Sequence, residues 1–159
     1  MKCFRGLILL IIVILSGCSA SAQQNIKWFD SETDAIEYGI KQEGIEKEDI
    51  VEKITIKEDK FVVYKFNSPD GEGVAIANIN NKDNQFAWDR TTPNLIVKSE
   101  GGTLKSHTDV KGASGEKYIF YTGAFDNEEE KTIDTDKEKN ISPKVINDSN
   151  LYYFLEIFK

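Results

Sequence analysis

The pattern of apolar and polar positions changes period along the chain. Leu7 to Leu15 is an unbroken apolar run. After a small, polar stretch, Ile36 and Ile40 stand four apart and share a face with Ala35 or Gly39, the spacing of an amphipathic helix. Asp30 or Ser31 can cap it, and Asp34 follows Ser31 by three, a weaker version of the capping box. Glu32 and Asp34 fall in the first turn, where the helix dipole favours negative charge. Gly44 is a good stop, and Phe29 before the cap can staple the chain's approach. These signals predict one short amphipathic helix over 31–43.

From Ile50 the period becomes two. Ile50, Ile54 and Ile56 alternate with Lys53, Thr55 and Lys57, and Phe61 to Phe66 is aromatic and β-branched. Ser68-Pro69-Asp70-Gly71 has the residues of a type I turn, and Val74 to Ile79 reads as the returning strand. Asn80 to Asn84 is the next turn and Gln85 to Arg90 the next strand. Three strand runs separated by short turn clusters predict an antiparallel meander. Leu95 to Lys98 is a short strand that Gly101-Gly102 breaks, and Tyr118 to Phe125 is a further strand. Asp126 to Lys139 carries seven acids and three bases and reads as an exposed loop or edge. Lys144 to Ile146 suits an edge. Leu151 to Lys159 is apolar on both faces, with Tyr152, Phe154 and Phe158 on one and Leu151, Tyr153, Leu155 and Ile157 on the other. A strand covered on both faces belongs inside a sheet. The expected fold is α+β: an N-terminal amphipathic helix on one side of a mainly antiparallel meander, with the C-terminal strand inserted.

The N-terminus points to location. Lys2 and Arg5 precede the apolar run, and Ser16, Gly17 and Cys18 follow it. A charged start, a short apolar core and small residues make a secretory signal. The nine apolar residues from Leu7 to Leu15 fall far below the roughly 20 that span a bilayer. Leu15-Ser16-Gly17-Cys18 resembles the lipobox of bacterial lipoproteins. The resemblance implies cleavage between Gly17 and Cys18 and a diacylglycerol thioether on the Cys18 thiol. An ordinary secreted protein, cut after Ala20 or Ala22, is the competing reading. On the lipobox reading residues 1–17 are a signal peptide, 18–27 a polar, flexible tether and 28–159 a single globular domain.

Cleavage at Cys18 changes the composition. The formal charge of −7 becomes −9 when Lys2 and Arg5 leave. Cys3 leaves too and acylation consumes Cys18, so the mature chain has no disulfide and no thiol nucleophile. An acidic balance argues against nucleic acid, which needs basic stripes. It also argues against peripheral docking on anionic lipid. Acyl chains anchor regardless of charge, each buried CH₂ adding about 0.8 kcal/mol.

Candidate chemistry is sparse. Ser106-His107 with Asp109, and Ser114 within Gly112-Ala113-Ser114-Gly115, carry hydrolase residue types. A nucleophile elbow needs a second Gly where Glu116 stands, followed by a helix, so a polar loop is the expectation. Asp134-Thr135-Asp136 opens like a calcium loop, but an EF-hand needs Gly and Glu where Lys139 and Val145 stand. Asp126 to Glu130 reads as a solvated acidic stretch. One His and no free Cys leave no common zinc set, and no cofactor is expected. Trp88, Tyr121 and Tyr152 are candidates for a binding face, because aromatic anchors concentrate binding energy.

The lipobox, the polar tether, Trp28-Phe29, the segment Ala35 to Ile40 and the Lys/Asn/Ile-rich usage resemble small uncharacterised lipoproteins of Bacillus-type Gram-positive bacteria. The resemblance implies location and little more: lipid-anchored at the extracytoplasmic membrane face. The anchor, the tether and the lack of a catalytic constellation point to a binding or accessory role, with an envelope protein as the expected partner. Three functions are expected in order: a binding or accessory protein, an immunity or exclusion factor against a toxin or phage, and a small hydrolase.

Overall fold

A computed structural model describes residues 26–90, 92–99, 102–126, 132–146 and 149–158. The lipobox residues Gly17 and Cys18, most of the tether, and positions 127–131 of the acidic stretch lie outside the described residues. The described chain is α+β, mostly antiparallel sheet with one α-helix. Helix α1 covers Glu32–Glu43. It is followed by β1 (Ile50–Ile56), β2 (Asp59–Ser68), β3 (Gly71–Lys82), β4 (Gln85–Asp89) and β5 (Leu95–Ser99). Then come β6 (Gly102–Thr103), β7 (Lys105–Lys111), β8 (Lys117–Ala124), β9 (Lys144–Val145) and β10 (Leu151–Ile157).

The helix ends follow from their capping residues. Ser31 is extended and its hydroxyl accepts the Asp34 N–H at 3.1 Å. Gly44 is left-handed at φ 66° and its N–H returns to the Ile40 carbonyl, the geometry glycine adopts without a Cβ penalty. Gly39 serves contact instead: a Cβ there would lie 2.1 Å from the Trp88 ring on β4.

The strands form two sheets where a single meander is expected. The first runs β1-β2-β3-β5-β6, with β4 also paired to β3. The second runs β7-β8-β10-β9. The reason is visible in β2 and β3, which are apolar on both faces. Phe61, Val63, Val74 and Ile76 point one way and pack against Tyr118, Phe120, Leu151 and Tyr153 of the second sheet. Val62, Tyr64, Ala75 and Ile79 point the other way and meet Ile36 and Trp88 under α1. A lone helix can cover only one face, so the other requires a second sheet. The outer face of that second sheet is covered in turn by a loop pinched at an Ile133–Ile141 bridge, which packs on Ile119, Tyr121 and Tyr152.

Three local expectations are corrected. Residues 105–111, read as polar loop, are an edge strand; only Val110 among them is buried. The turn expected across Asn80 to Asn84 is tighter. β3 continues to Lys82, and Asp83 and Asn84 alone make the reversal, both at positive φ, which suits hairpin twist. The C-terminal strand does insert between two others, but β9 pairs only with Tyr152 and Tyr153. Beyond them β10 is an edge, where the Lys137 ammonium donates to the Ile157 carbonyl at 2.8 Å. The helix packs on the first sheet, not on the sheet that holds the C-terminus.

Candidate functional site

The structure separates the three aromatic residues singled out above. Trp88 is buried between α1 and the first sheet, with its indole N–H donating to the Glu43 carboxylate at 3.3 Å. Tyr121 and Tyr152 come together on the outer face of the second sheet. Tyr152 stands opposite Gly123 in the β8–β10 ladder. A Cβ at Gly123 would meet its hydroxyl at 2.2 Å, so the glycine lets the ring lie across β8. The same ring stacks on that of Phe125, with centroids 4.5 Å apart.

These two tyrosines line a cavity of about 420 Å³, within the usual range for small-molecule clefts. Lys105 and His107 from β7 form one wall, and Asp134 and Asp136 from the covering loop form the other. The His107 and Tyr121 rings are 5.7 Å apart. The Asp134 carboxylate is engaged, accepting the Asn140 N–H at 3.0 Å. The Tyr121 hydroxyl is buried beside Thr135 and the Asp136 backbone without good hydrogen-bond geometry to either. Burial, then the nearby Glu156 and Asp136 carboxylates, push its pKa up, so it stays a neutral donor. The cavity has an aromatic floor, two bases on one side and two acids on the other, an arrangement for holding a polar ligand.

The hydrolase residues do not converge. His107 is on this outer face, opposite Tyr121 in the β7–β8 ladder. Ser114 sits beyond the far end of the same hairpin, where its hydroxyl donates to the Asp59 carboxylate at 2.7 Å. Asp59 is 1% exposed and also accepts the Ser114 N–H at 2.7 Å and the Tyr118 hydroxyl at 2.8 Å. Burial opposes its ionisation, but the donors from Ser114 and Tyr118 outweigh burial and hold the carboxyl below its ordinary value. Ser114 is therefore a clamp residue, with its proton committed to a carboxylate. Among the described residues no group of three or more His, Cys, Asp or Glu side chains gathers where it could hold a metal ion.

Asp59 and Asn78 are not among the residues that stand out in sequence, and Trp28 stands out there only at the start of the folded domain. Asn78 carried a signal: it is a polar residue in an inward position of the Val74-Ala75-Ile76-Ala77-Asn78-Ile79 alternation. Asp59 carried none, because Glu58-Asp59-Lys60 looks like any charged turn.

No family model matches the chain, and neither a curated protein nor a solved structure resembles it at a significant level. The site is therefore read from its own geometry. No helix among the described residues is long and apolar enough to cross a membrane.

Proposed function

We propose that the protein is a lipid-anchored extracytoplasmic binding or accessory protein. The observation that carries the anchor is the order Lys2, Arg5, Leu7–Leu15, Ser16-Gly17-Cys18. Signal peptidase cuts before Cys18, and acyl chains such as palmitate hold the chain at the membrane. Two or more chains on one residue anchor firmly, where one is marginal. The polar residues after Cys18 then link the lipid to the two-sheet domain, to which Phe29 is tied by two 2.8 Å backbone hydrogen bonds with Phe86. The mixed aromatic and charged cavity over Tyr121 and Tyr152 supports binding in preference to turnover.

Intact mass of the membrane-extracted protein tests the anchor. Loss of residues 1–17 with a diacylglycerol-sized gain, abolished in Cys18→Ala, is the expected result. A free chain cut after Ala20 or Ala22 overturns it. Cross-linking in intact envelopes, followed by affinity capture, tests the partner; a profile identical to that of an unrelated lipoprotein counts against an accessory role.

The charge of −9 on the processed chain supports a second reading, an immunity or exclusion factor, since negative charge speeds capture of a basic toxin. Unchanged toxin and phage sensitivity in a deletion strain removes it.

A further inference from the structure

Strand β3 outgrows the sheet that covers it. Its first half pairs with β5 and lies over the second sheet, whereas Asn78 to Lys82 pair with β4. Among the described residues, the inner face of that second half meets the end of the β7–β8 hairpin at Lys111 to Ala113. The result is a cleft of about 440 Å³ lined by Trp28, Asn78, Asn80, Asp89 and Lys111.

Alternation explains which side chains enter it. Val74 and Ile76 face the second sheet, so Asn78 and Asn80 face the same way. Asp89 is the partner of Asn78 across the β3–β4 ladder and shares that face. Phe29 pairs with Phe86 and its ring meets Tyr38 of α1 at 5.2 Å, which turns the preceding Trp28 toward the cleft. The Asn80 amide donates to the Asp89 carboxylate at 3.1 Å. The Asn78 amide donates to the Lys111 carbonyl at 2.8 Å. That bond identifies nitrogen and oxygen in the Asn78 amide, because a carbonyl can only accept. The Asn78 side-chain oxygen accepts from no protein group, and the residue is 3% exposed.

We propose that this cleft is a binding site for a neutral, polyhydroxylated ligand of the saccharide class. A buried acceptor left unmade costs about 1–3 kcal/mol, and a ligand hydroxyl supplies the missing donor. Asp89 offers a second, charged acceptor to a neighbouring hydroxyl, and such bonds are the stronger kind. The indole of Trp28 is the aromatic surface of the cleft, and its negative face suits the C–H face of a pyranose ring. An anionic ligand would meet the Asp89 carboxylate, so the cleft favours a neutral ligand over an anion. The proposal names a ligand for the binding role proposed above and rests on that reading for its setting. The test is independent of the anchor.

The test is calorimetric titration of the full-length protein in detergent with maltotriose and with tri-N-acetylchitotriose, and with trialanine as the peptide control. Saturable binding of at least one sugar is expected. Trp28→Ala and Asp89→Asn should each weaken it by about tenfold or more, equivalent to about 1.4 kcal/mol, with the melting temperature within a few degrees of the parent. Lys57→Ala, which removes an exposed ion pair with Glu116 away from the cleft, should leave the affinity unchanged. No binding of either sugar at millimolar concentration by folded protein overturns the proposal. So does binding that ignores both substitutions, or binding of trialanine alone. Failure here with a specific envelope partner still captured removes the saccharide cleft and leaves the accessory role standing.

Discussion

Asp59 and Asn78 both rise from the first sheet to hold the same β7–β8 hairpin, and they do so in opposite ways. Asp59 is a charge with three side-chain and backbone donors from Ser114 and Tyr118 around it. Asn78 is neutral, makes one bond to the Lys111 carbonyl, and keeps an unpartnered oxygen. Both are almost completely buried. A buried polar group that is fully satisfied rigidifies its surroundings; one that is half satisfied sits ready for another partner. The Asp59 end of the hairpin is thus structural, and the Asn78 end is the one built to receive something.

The largest expected effect comes from emptying the satisfied end. Asp59→Ala strips the Tyr118 hydroxyl and two Ser114 groups of their charged acceptor, and urea denaturation should show a loss of about 3–5 kcal/mol, since each hydrogen bond to a charged group is worth about 1.5–3 kcal/mol. A loss no greater than that of Asn78→Ala would break the contrast. Gly112→Ala should come next. Its Cβ would lie 2.2 Å from an Asp59 carboxylate oxygen, and the forced shift should cost about 1–3 kcal/mol. Asn78→Ala should cost about 1 kcal/mol, the net worth of one neutral hydrogen bond, because it also removes the orphan oxygen. Lys57→Ala should change the midpoint least. Its 3.1 Å pair with Glu116 spans the same end of the sandwich, but both side chains are exposed, and such pairs contribute about 0–1 kcal/mol.

Acid sharpens the same comparison. The folded state holds Asp59 below its ordinary value, so its stabilisation is complete above the unfolded carboxylate range, about pH 4, and fades as pH falls through the folded value. Glu52 behaves alike: burial opposes its charge, but donors from Lys144 and Tyr153 outweigh burial and lower its pKa. Urea midpoints from pH 7 to pH 2 should fall for the parent. The fall should be shallower in Asp59→Asn and shallower still when Glu52→Gln is added. An unchanged acid limb in the double variant would remove both carboxylates from the account. Asn78, which does not titrate, should leave the acid limb alone.

The helix was legible because its caps and its face are local. Ser31, Asp34, Gly44 and the Ile36/Ile40 spacing act within one or two turns. The hairpins from Ile50 to Asp89 were legible for the same reason, each turn lying between two strands it joins. Strand β7 was not, because Lys-Ser-His-Thr-Asp-Val-Lys has one buried residue and an edge strand needs no apolar face. The candidate site was half legible. Tyr121 and Tyr152 were noticed as aromatics in strands, and the ladder through Gly123 brought them together. Trp88 looked the same in sequence but falls beneath Gly39 of the helix.

The sequence by itself determined the local elements and, through the double-sided apolar runs of β2, β3, β8 and β10, the need for cover on both faces of each sheet. Only the tertiary structure decided that the cover would be a second sheet and a pinched loop, and that β3 would outrun its cover. Burial pattern states how much of a strand must be hidden, but not by what. The partner is chosen by long-range packing, and with it the stretch of inner face where Trp28 and the almost wholly buried Asn78 line a cleft.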